Sequence, residues 1–213
     1  MTIAMVLVGA DRVFMAADSR AANAIDGAPL PQESKKLHQL DGPVLAVTAG
    51  FGSNLTGSLV PMVISVMKAK GSAGDLDFID EWLGKLGEPI FSLGCTLLKA
   101  LGGADPQLVV AFGGVGENGP RARIKRFDGG LQEEMEPGSY SVFGTDTDVM
   151  KAESSVVATR CLGPNQTIQA DQWAYELCRW AAERWPNSVG FPLTLMAVGR
   201  TGGVSTRIER AGE

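Results

Sequence analysis

The 213-residue sequence contains a single histidine, His38, and only three cysteines. One histidine excludes a cluster of histidine ligands around a metal and argues against a Cys–His nucleophile pair. The cysteines are widely spaced and form no CxxC motif, so we expect free thiols in a reducing compartment. The histidine and cysteine content therefore predicts no metal site. The three cysteines are Cys95, Cys161 and Cys178.

The sequence also lacks an apolar run long enough to cross a membrane and lacks an excess of basic residues. Its 19 basic and 24 acidic residues give a net charge of −5, which argues against nucleic acid as a partner. Apolar residues make up 45% of the chain and charged residues 20%, as in an ordinary globular protein. We expect one domain over residues 1–213, located in the cytoplasm and without a membrane partner.

Three well-known glycine motifs do not apply here. The chain has no GxSxG nucleophile motif and no phosphate-binding loop of the GxxxxGK type. Residues 114–119 spell GxGxxG, but a second predicted strand follows them where dinucleotide binding requires a helix. This segment therefore indicates a hairpin loop.

The start of the chain predicts a β-hairpin. Two apolar runs, 3–8 and 12–17, flank the turn-forming residues Gly9-Ala10-Asp11. If those three residues form the whole loop, Val8 lies opposite Arg12.

Continuing this pairing toward the start of the first strand places Thr2 opposite Asp18. Directly opposed residues in antiparallel strands lie about 5 Å apart, so the threonine hydroxyl would sit beside a carboxylate. A third predicted strand, over residues 34–40, adds Lys36. Because Thr2 is small, we expect removal of Met1, which would make Thr2 the first residue of the mature chain.

An N-terminal threonine can act as a nucleophile with its own base. Its hydroxyl is a weak nucleophile that needs a proton acceptor nearby. The α-amine has an unperturbed pKa of about 7.7–8, against about 10.4 for lysine, and therefore titrates near neutral pH. A neighbouring Lys36 would lower the pKa of this amine further by like-charge repulsion, and Asp18 would neutralise a buried Lys36.

Several spaced segments together resemble the catalytic β-subunits of proteasomes and the related bacterial peptidase HslV. Their order matches that family, and Asp18 lies sixteen residues after Thr2, as the family requires. The matching segments are Thr2, Ala16-Ala17-Asp18-Ser19-Arg20, Lys35-Lys36 and Thr48-Ala49-Gly50.

The resemblance implies a role for each matching residue. Thr2 would be the nucleophile, with Asp18 and Lys36 supporting it. The backbone N–H of Gly50 would stabilise the oxyanion. Thr145 takes the place of a supporting serine in the family, although a helix-capping role is equally open.

The resemblance also implies a substrate pocket. The pocket would be lined by Ala21, Ser34 and Thr48, with His38 further in.

The family places an aspartate and then a serine near its last strands. Here the segment 186–190 has no acid, and its serine is displaced by one position.

The order of predicted elements is strands, two helices, strands, two helices, strands. Such an order fits two sheets stacked on each other with helices outside. The predicted fold class is α+β, a four-layer α-β-β-α sandwich with mainly antiparallel sheets, which is the N-terminal-nucleophile hydrolase fold that the resemblance implies. The strands are predicted at 3–9, 12–18, 34–40, 43–49, 107–113, 121–127, 130–135, 140–143, 192–199 and 203–209, and the helices from about 53, at 76–101 with a bend near Pro89, at 146–159 and at 168–184, with 21–33 as a loop.

The function that follows from the resemblance is a threonine-type endopeptidase of a self-compartmentalising, proteasome-like complex, which needs no metal or organic cofactor. Peptides or unfolded proteins would be its substrates, an ATP-dependent unfoldase a further partner, and a homo-oligomeric ring or double ring its assembly. Two alternatives stay open: an amidohydrolase of the same fold acting on a small amide, and a catalytically inactive scaffold subunit. We expect the subunit contacts to use the helix carrying Val60, Val63 and Met67 and the helix carrying Trp173 and Trp180.

Overall fold

The structure is a computed structural model that describes residues 2–23, 28–40, 42–50, 53–71, 74–103, 107–129, 132–144 and 146–209. Within these ranges the chain forms twelve strands and four α-helices, in the predicted alternation of strands and helix pairs. The elements are β1 (Ile3–Val8), β2 (Arg12–Asp18), β3 (Arg20–Ala22), β4 (Pro29–Glu33), β5 (Leu37–Gln39), β6 (Val44–Gly50), α1 (Ser53–Lys70), α2 (Leu76–Ala100), β7 (Leu108–Gly116), β8 (Gly119–Arg126), β9 (Gln132–Met135), β10 (Tyr140–Gly144), α3 (Thr147–Arg160), α4 (Ala170–Arg184), β11 (Leu193–Gly199) and β12 (Val204–Glu209).

The strands form two five-stranded sheets and one small hairpin, and all their pairings are antiparallel. The first sheet has the order β10-β1-β2-β11-β12, and the second has the order β5-β6-β7-β8-β9. Strands β3 and β4 pair only with each other. The predicted α+β class with mainly antiparallel sheets is thus confirmed.

A buried apolar layer lies between the two large sheets. Alternate residues of β1 face this layer, and the residues between them face α3 and α4. Strand β6 alternates in the same way, with its remaining residues facing α1 and α2. The resulting sequence of helices, sheet, sheet and helices is compatible with the predicted sandwich. The residues facing the middle layer are Ala4, Val6 and Val8 of β1 and Leu45, Val47 and Ala49 of β6.

The predicted register of the first hairpin is wrong by one residue. Val8 pairs with Val13 rather than with Arg12, and the Gly9 N–H donates to the Arg12 carbonyl at 2.8 Å. The loop is therefore only Ala10 and Asp11. The shorter loop lets the Gly9 N–H and the Arg12 carbonyl satisfy each other, which the predicted three-residue loop would not.

The segment predicted as a loop over 21–33 contains the small β3–β4 hairpin instead. Its strand β4 is mostly exposed and carries two prolines, so no alternating apolar pattern marked it as a strand. Helix α2 runs through Pro89 without interruption, and Asp75 caps its start by accepting from two backbone N–H groups. The GxGxxG segment forms the β7–β8 hairpin, as predicted, with Gly116 paired to Gly119.

The side chains that mark the two helices predicted to form subunit contacts lie largely in the core. The three from α1 and Trp173 of α4 are each at most 2% exposed, and Trp180 is partly buried. They recur at helical spacing because they face the sheets, so a subunit contact by either helix would use its other faces. No helix in the described ranges has the length and apolar character needed to cross a membrane. The buried α1 residues are Val60, Val63 and Met67.

Candidate functional site

Asp18, at the end of β2, is the centre of a buried polar cluster. Its side chain is inaccessible to solvent, and its Oδ1 atom accepts two hydrogen bonds from side chains. The Thr2 hydroxyl donates at 2.5 Å, and the Lys36 ammonium donates at 2.7 Å. The prediction that Thr2 and Lys36 both lie beside this carboxylate is confirmed, although the hairpin register was wrong.

The corrected register explains how Asp18 is held. Continuing the pairing of β1 with β2 places Ile3 opposite Asp18, and the Ile3 N–H donates to Oδ1 at 3.0 Å. The other oxygen, Oδ2, accepts from the N–H groups of Arg20 and Gly190, both at 3.2 Å. Five donors thus satisfy a carboxylate that burial alone would strongly disfavour.

Lys36 is the second buried charge of the cluster and is only 8% exposed. Besides its ion pair with Asp18, its ammonium donates to the Arg20 carbonyl at 2.6 Å. Burial lowers the pKa of Lys36, and the Asp18 carboxylate opposes that shift. The site therefore holds an ammonium whose proton is easier to remove than that of an exposed lysine.

Gly50 ends β6 close to Lys36, the residue that directly precedes β5. The Thr48 N–H donates to the Lys36 carbonyl at 2.9 Å, so that edge of β6 faces the Lys36 segment. N–H groups of residues two apart in a strand point to the same side, which directs the Gly50 N–H away from β7. Gly50 is exposed, whereas Thr48 and Ala49 are buried. The predicted oxyanion role requires a backbone donor that faces away from the paired strand, and the direction inferred for the Gly50 N–H is compatible with that role.

Replacing Gly50 with alanine should destabilise the protein. Gly50 has φ +107°, and a Cβ atom there would lie 1.9 Å from the Gln107 carbonyl oxygen. We expect Gly50→Ala to cost at least about 2 kcal/mol of unfolding free energy, because a rigid backbone atom must move and the residue is strained. Urea denaturation measures this, with Gly116→Ala as control, since a Cβ there meets nothing within 4 Å. Equal losses in both variants would contradict this account of Gly50.

Thr145 lies outside the described residues, whereas Gly144 and Thr147 are described. Gly144 pairs with Ile3, and a Cβ on Gly144 would lie 1.9 Å from the Thr2 carbonyl oxygen. The Thr147 hydroxyl donates back to the Gly144 carbonyl at 3.1 Å at the start of α3. Gly144 therefore lies directly beside Thr2.

The three predicted pocket residues surround the backbone of the same cluster, and all three are buried. The Ser34 N–H donates to the Ser19 carbonyl at 2.8 Å, next to Asp18. The Thr48 hydroxyl approaches the Lys36 carbonyl at 3.4 Å. Ala21 lies in β3 and is 4% exposed. Two cavities of the described structure are lined by other residues, one around the β7–β8 hairpin and one between α4 and β12.

His38 is buried in β5, two positions after Lys36, and its Nε2 has no hydrogen-bond partner among the described residues. Burial, followed by the positive charge of Lys35, lowers the pKa of His38 to about 4. The imidazole is therefore neutral at neutral pH.

This histidine should make the fold acid-sensitive. The unfolded chain binds a proton below about pH 6.5, whereas the folded chain binds it only near pH 4, so stability falls as pH falls between these values. We expect the wild type to lose up to about 3 kcal/mol more than His38→Phe across that window. Urea unfolding at a series of pH values measures the difference. Parallel pH curves for the two proteins would show that His38 does not carry the effect.

The contribution of Gly190 was missed by sequence reasoning. It lies in the segment 186–190, which departs from the family pattern and was therefore given no role. Its contact with Asp18 uses a backbone N–H, and every residue except proline has one, so residue type gave no signal.

Comparisons with known proteins add no assignment to this geometry. No protein-family model matches the chain, and no curated protein matches it. The resemblance to proteasome β-subunits therefore depends on the residues named above, and the cluster around Asp18 is the physical observation that bears on function.

Proposed function

We propose that the protein is an N-terminal-nucleophile threonine peptidase of the proteasome-like type. The observation that carries this proposal is the single carboxylate oxygen of Asp18 that binds both the Thr2 hydroxyl and the Lys36 ammonium. A buried hydroxyl held beside a buried ion pair is costly to maintain and is typical of reactive sites.

In the proposed reaction, removal of Met1 frees the α-amine of Thr2. The Thr2 hydroxyl oxygen then attacks the carbonyl carbon of the scissile peptide bond, and the α-amine accepts the hydroxyl proton. The carbon–nitrogen bond breaks, and the proton passes from the α-amine to the leaving amine. Water then hydrolyses the threonyl ester and restores the free hydroxyl.

The surrounding groups supply electrostatic support for these steps. Asp18 fixes the position of Thr2 and keeps Lys36 charged in a buried setting. The Lys36 charge lowers the pKa of the nearby amine, which keeps part of it unprotonated at neutral pH. The Gly50 N–H donates to the oxyanion that forms on the attacked carbonyl.

The proposal extends to fold and assembly. We infer a four-layer N-terminal-nucleophile hydrolase fold, and the two antiparallel sheets with helix pairs on their outer faces are compatible with it. A peptidase of this kind would enclose its sites in a ring or double ring of identical subunits that unfolded substrates enter with the help of an ATP-dependent unfoldase. Light scattering coupled to size exclusion tests this; a stable, active monomer would contradict it.

Intact mass measurement of the natively expressed protein, combined with a peptide-hydrolysis assay, tests the function. The proposal predicts a chain that lacks Met1 and cleaves unstructured peptides. Retained Met1 without activity would favour the scaffold subunit. A processed chain that hydrolyses only small amides would favour the amidohydrolase.

A further inference from the structure

Arg20 has a side chain that the proposed reaction does not use, although its backbone belongs to the site. Its N–H donates to Asp18 Oδ2 at 3.2 Å, and its carbonyl accepts from the Lys36 ammonium at 2.6 Å. The main chain of Arg20 therefore contacts both partners of the buried ion pair. The question is what its guanidinium does.

The guanidinium contacts the loop that follows α4. Its Nη1 donates to the Pro186 carbonyl, and its planar group lies against Gly190. A Cβ atom at position 190 would lie 2.7 Å from Arg20 Nε and 2.8 Å from Cζ. The cation thus occupies the space that the missing side chain of Gly190 leaves open.

The 186–190 loop also contacts the Asp18 carboxylate. Gly190 is buried, and its N–H donates to Asp18 Oδ2, the oxygen that also accepts from the Arg20 N–H. The loop is otherwise anchored by the N–H groups of Ser188 and Val189, which both donate to the Trp185 carbonyl at 2.9 Å. The hydrogen bonds described between this loop and Asp18 and Arg20 use backbone atoms of the loop, the Pro186 carbonyl and the Gly190 N–H.

We propose that Arg20 is a positioning residue whose guanidinium holds the 186–190 loop so that the Gly190 N–H stays on Asp18. Asp18 in turn fixes Thr2 and Lys36, so the loop and the nucleophile are coupled through Arg20. The effect on turnover rests on the proposed function, whereas the coupling between the loop and Asp18 does not.

Two substitutions break this coupling by different means. Arg20→Ala removes the guanidinium. Gly190→Ala adds a methyl group that displaces it, at small cost to the fold, because the displaced atoms are the end of a flexible side chain. In the double variant the added methyl group has nothing to displace, so the second change should add little to the first. Asn187→Ala, in an exposed position of the same loop, is the matched control.

The experiment measures hydrogen exchange of the residue-190 amide and the kinetics of peptide hydrolysis. We expect each single variant to speed exchange and to lower kcat by about tenfold with little change in KM, as loss of a hydrogen bond to a charged group predicts. The double variant should match Arg20→Ala, and Asn187→Ala should match the wild type.

Two results would overturn the inference. One is an Arg20→Ala protein with wild-type exchange at residue 190. The other is a double variant whose losses equal the product of the two single losses. If the wild type cleaves no peptide, the proposed function fails by itself, and the exchange measurements still decide whether Arg20 couples the loop to Asp18.

Discussion

Replacing Thr2 with alanine should abolish peptide hydrolysis and leave the fold intact. The hydroxyl supplies the attacking oxygen, and no other group in the proposed mechanism can replace it, so we expect a loss of about a thousandfold or more in kcat/KM. Alanine, like threonine, is small enough as the second residue for Met1 to be removed, so the variant should still be processed. The measurement is hydrolysis of an unstructured peptide, with circular dichroism recorded on the same samples.

Thr2→Ser is the matched control for this experiment. Serine keeps a hydroxyl on the same carbon, within reach of Asp18 Oδ1, and should retain measurable turnover. Near-wild-type hydrolysis by Thr2→Ala would contradict the assignment of the nucleophile, whatever Thr2→Ser does.

Breaking the buried ion pair should cost both stability and activity. Lys36 and Asp18 side chains are 8% and 0% exposed, so removing one partner leaves the other charge buried and unpaired. We expect Lys36→Ala and Asp18→Ala each to lose about 3–5 kcal/mol of unfolding free energy and most of their hydrolytic activity. Urea denaturation and the peptide assay measure the two effects.

An exposed ion pair on α2 provides the control. The side chains of Lys85 and Glu81 are 54% and 56% exposed, so Lys85→Ala should change the unfolding free energy by no more than about 0.5 kcal/mol. A neutral double variant, Lys36→Met with Asp18→Asn, should cost less than the sum of its two single changes, because neither charge is left alone. If Lys36→Ala and Lys85→Ala unfold alike, the Lys36 pair is not buried as described.

The order of strands and helices could be predicted because hydrophobic periodicity records which residues face the core. The same periodicity identified Val60 and Met67 as helical but did not show which surface they face. Here they pack on the second sheet, and the expectation that their helix takes part in assembly stays a prediction. A helix pattern identifies an apolar face, and only the packed structure shows what covers it.

The sequence predicted which side chains form the site, but it did not predict the backbone contacts that hold them. Thr2, Asp18 and Lys36 could be identified by residue type and order, and their contacts followed from neighbouring strands. The exact register did not follow, since one residue in the Ala10-Asp11 turn decides it. The contacts of Gly190 and of the Arg20 backbone are made by atoms that residue type does not specify.

Covalent labelling of the nucleophile tests the central claim most directly. The processed protein would be incubated with an activated peptide ester, which acylates a reactive hydroxyl, and then digested and mapped by mass spectrometry. The account predicts one acyl group on the peptide that begins with Thr2, and none in Thr2→Ala. An acyl group on another residue, or active protein that retains Met1, would contradict it.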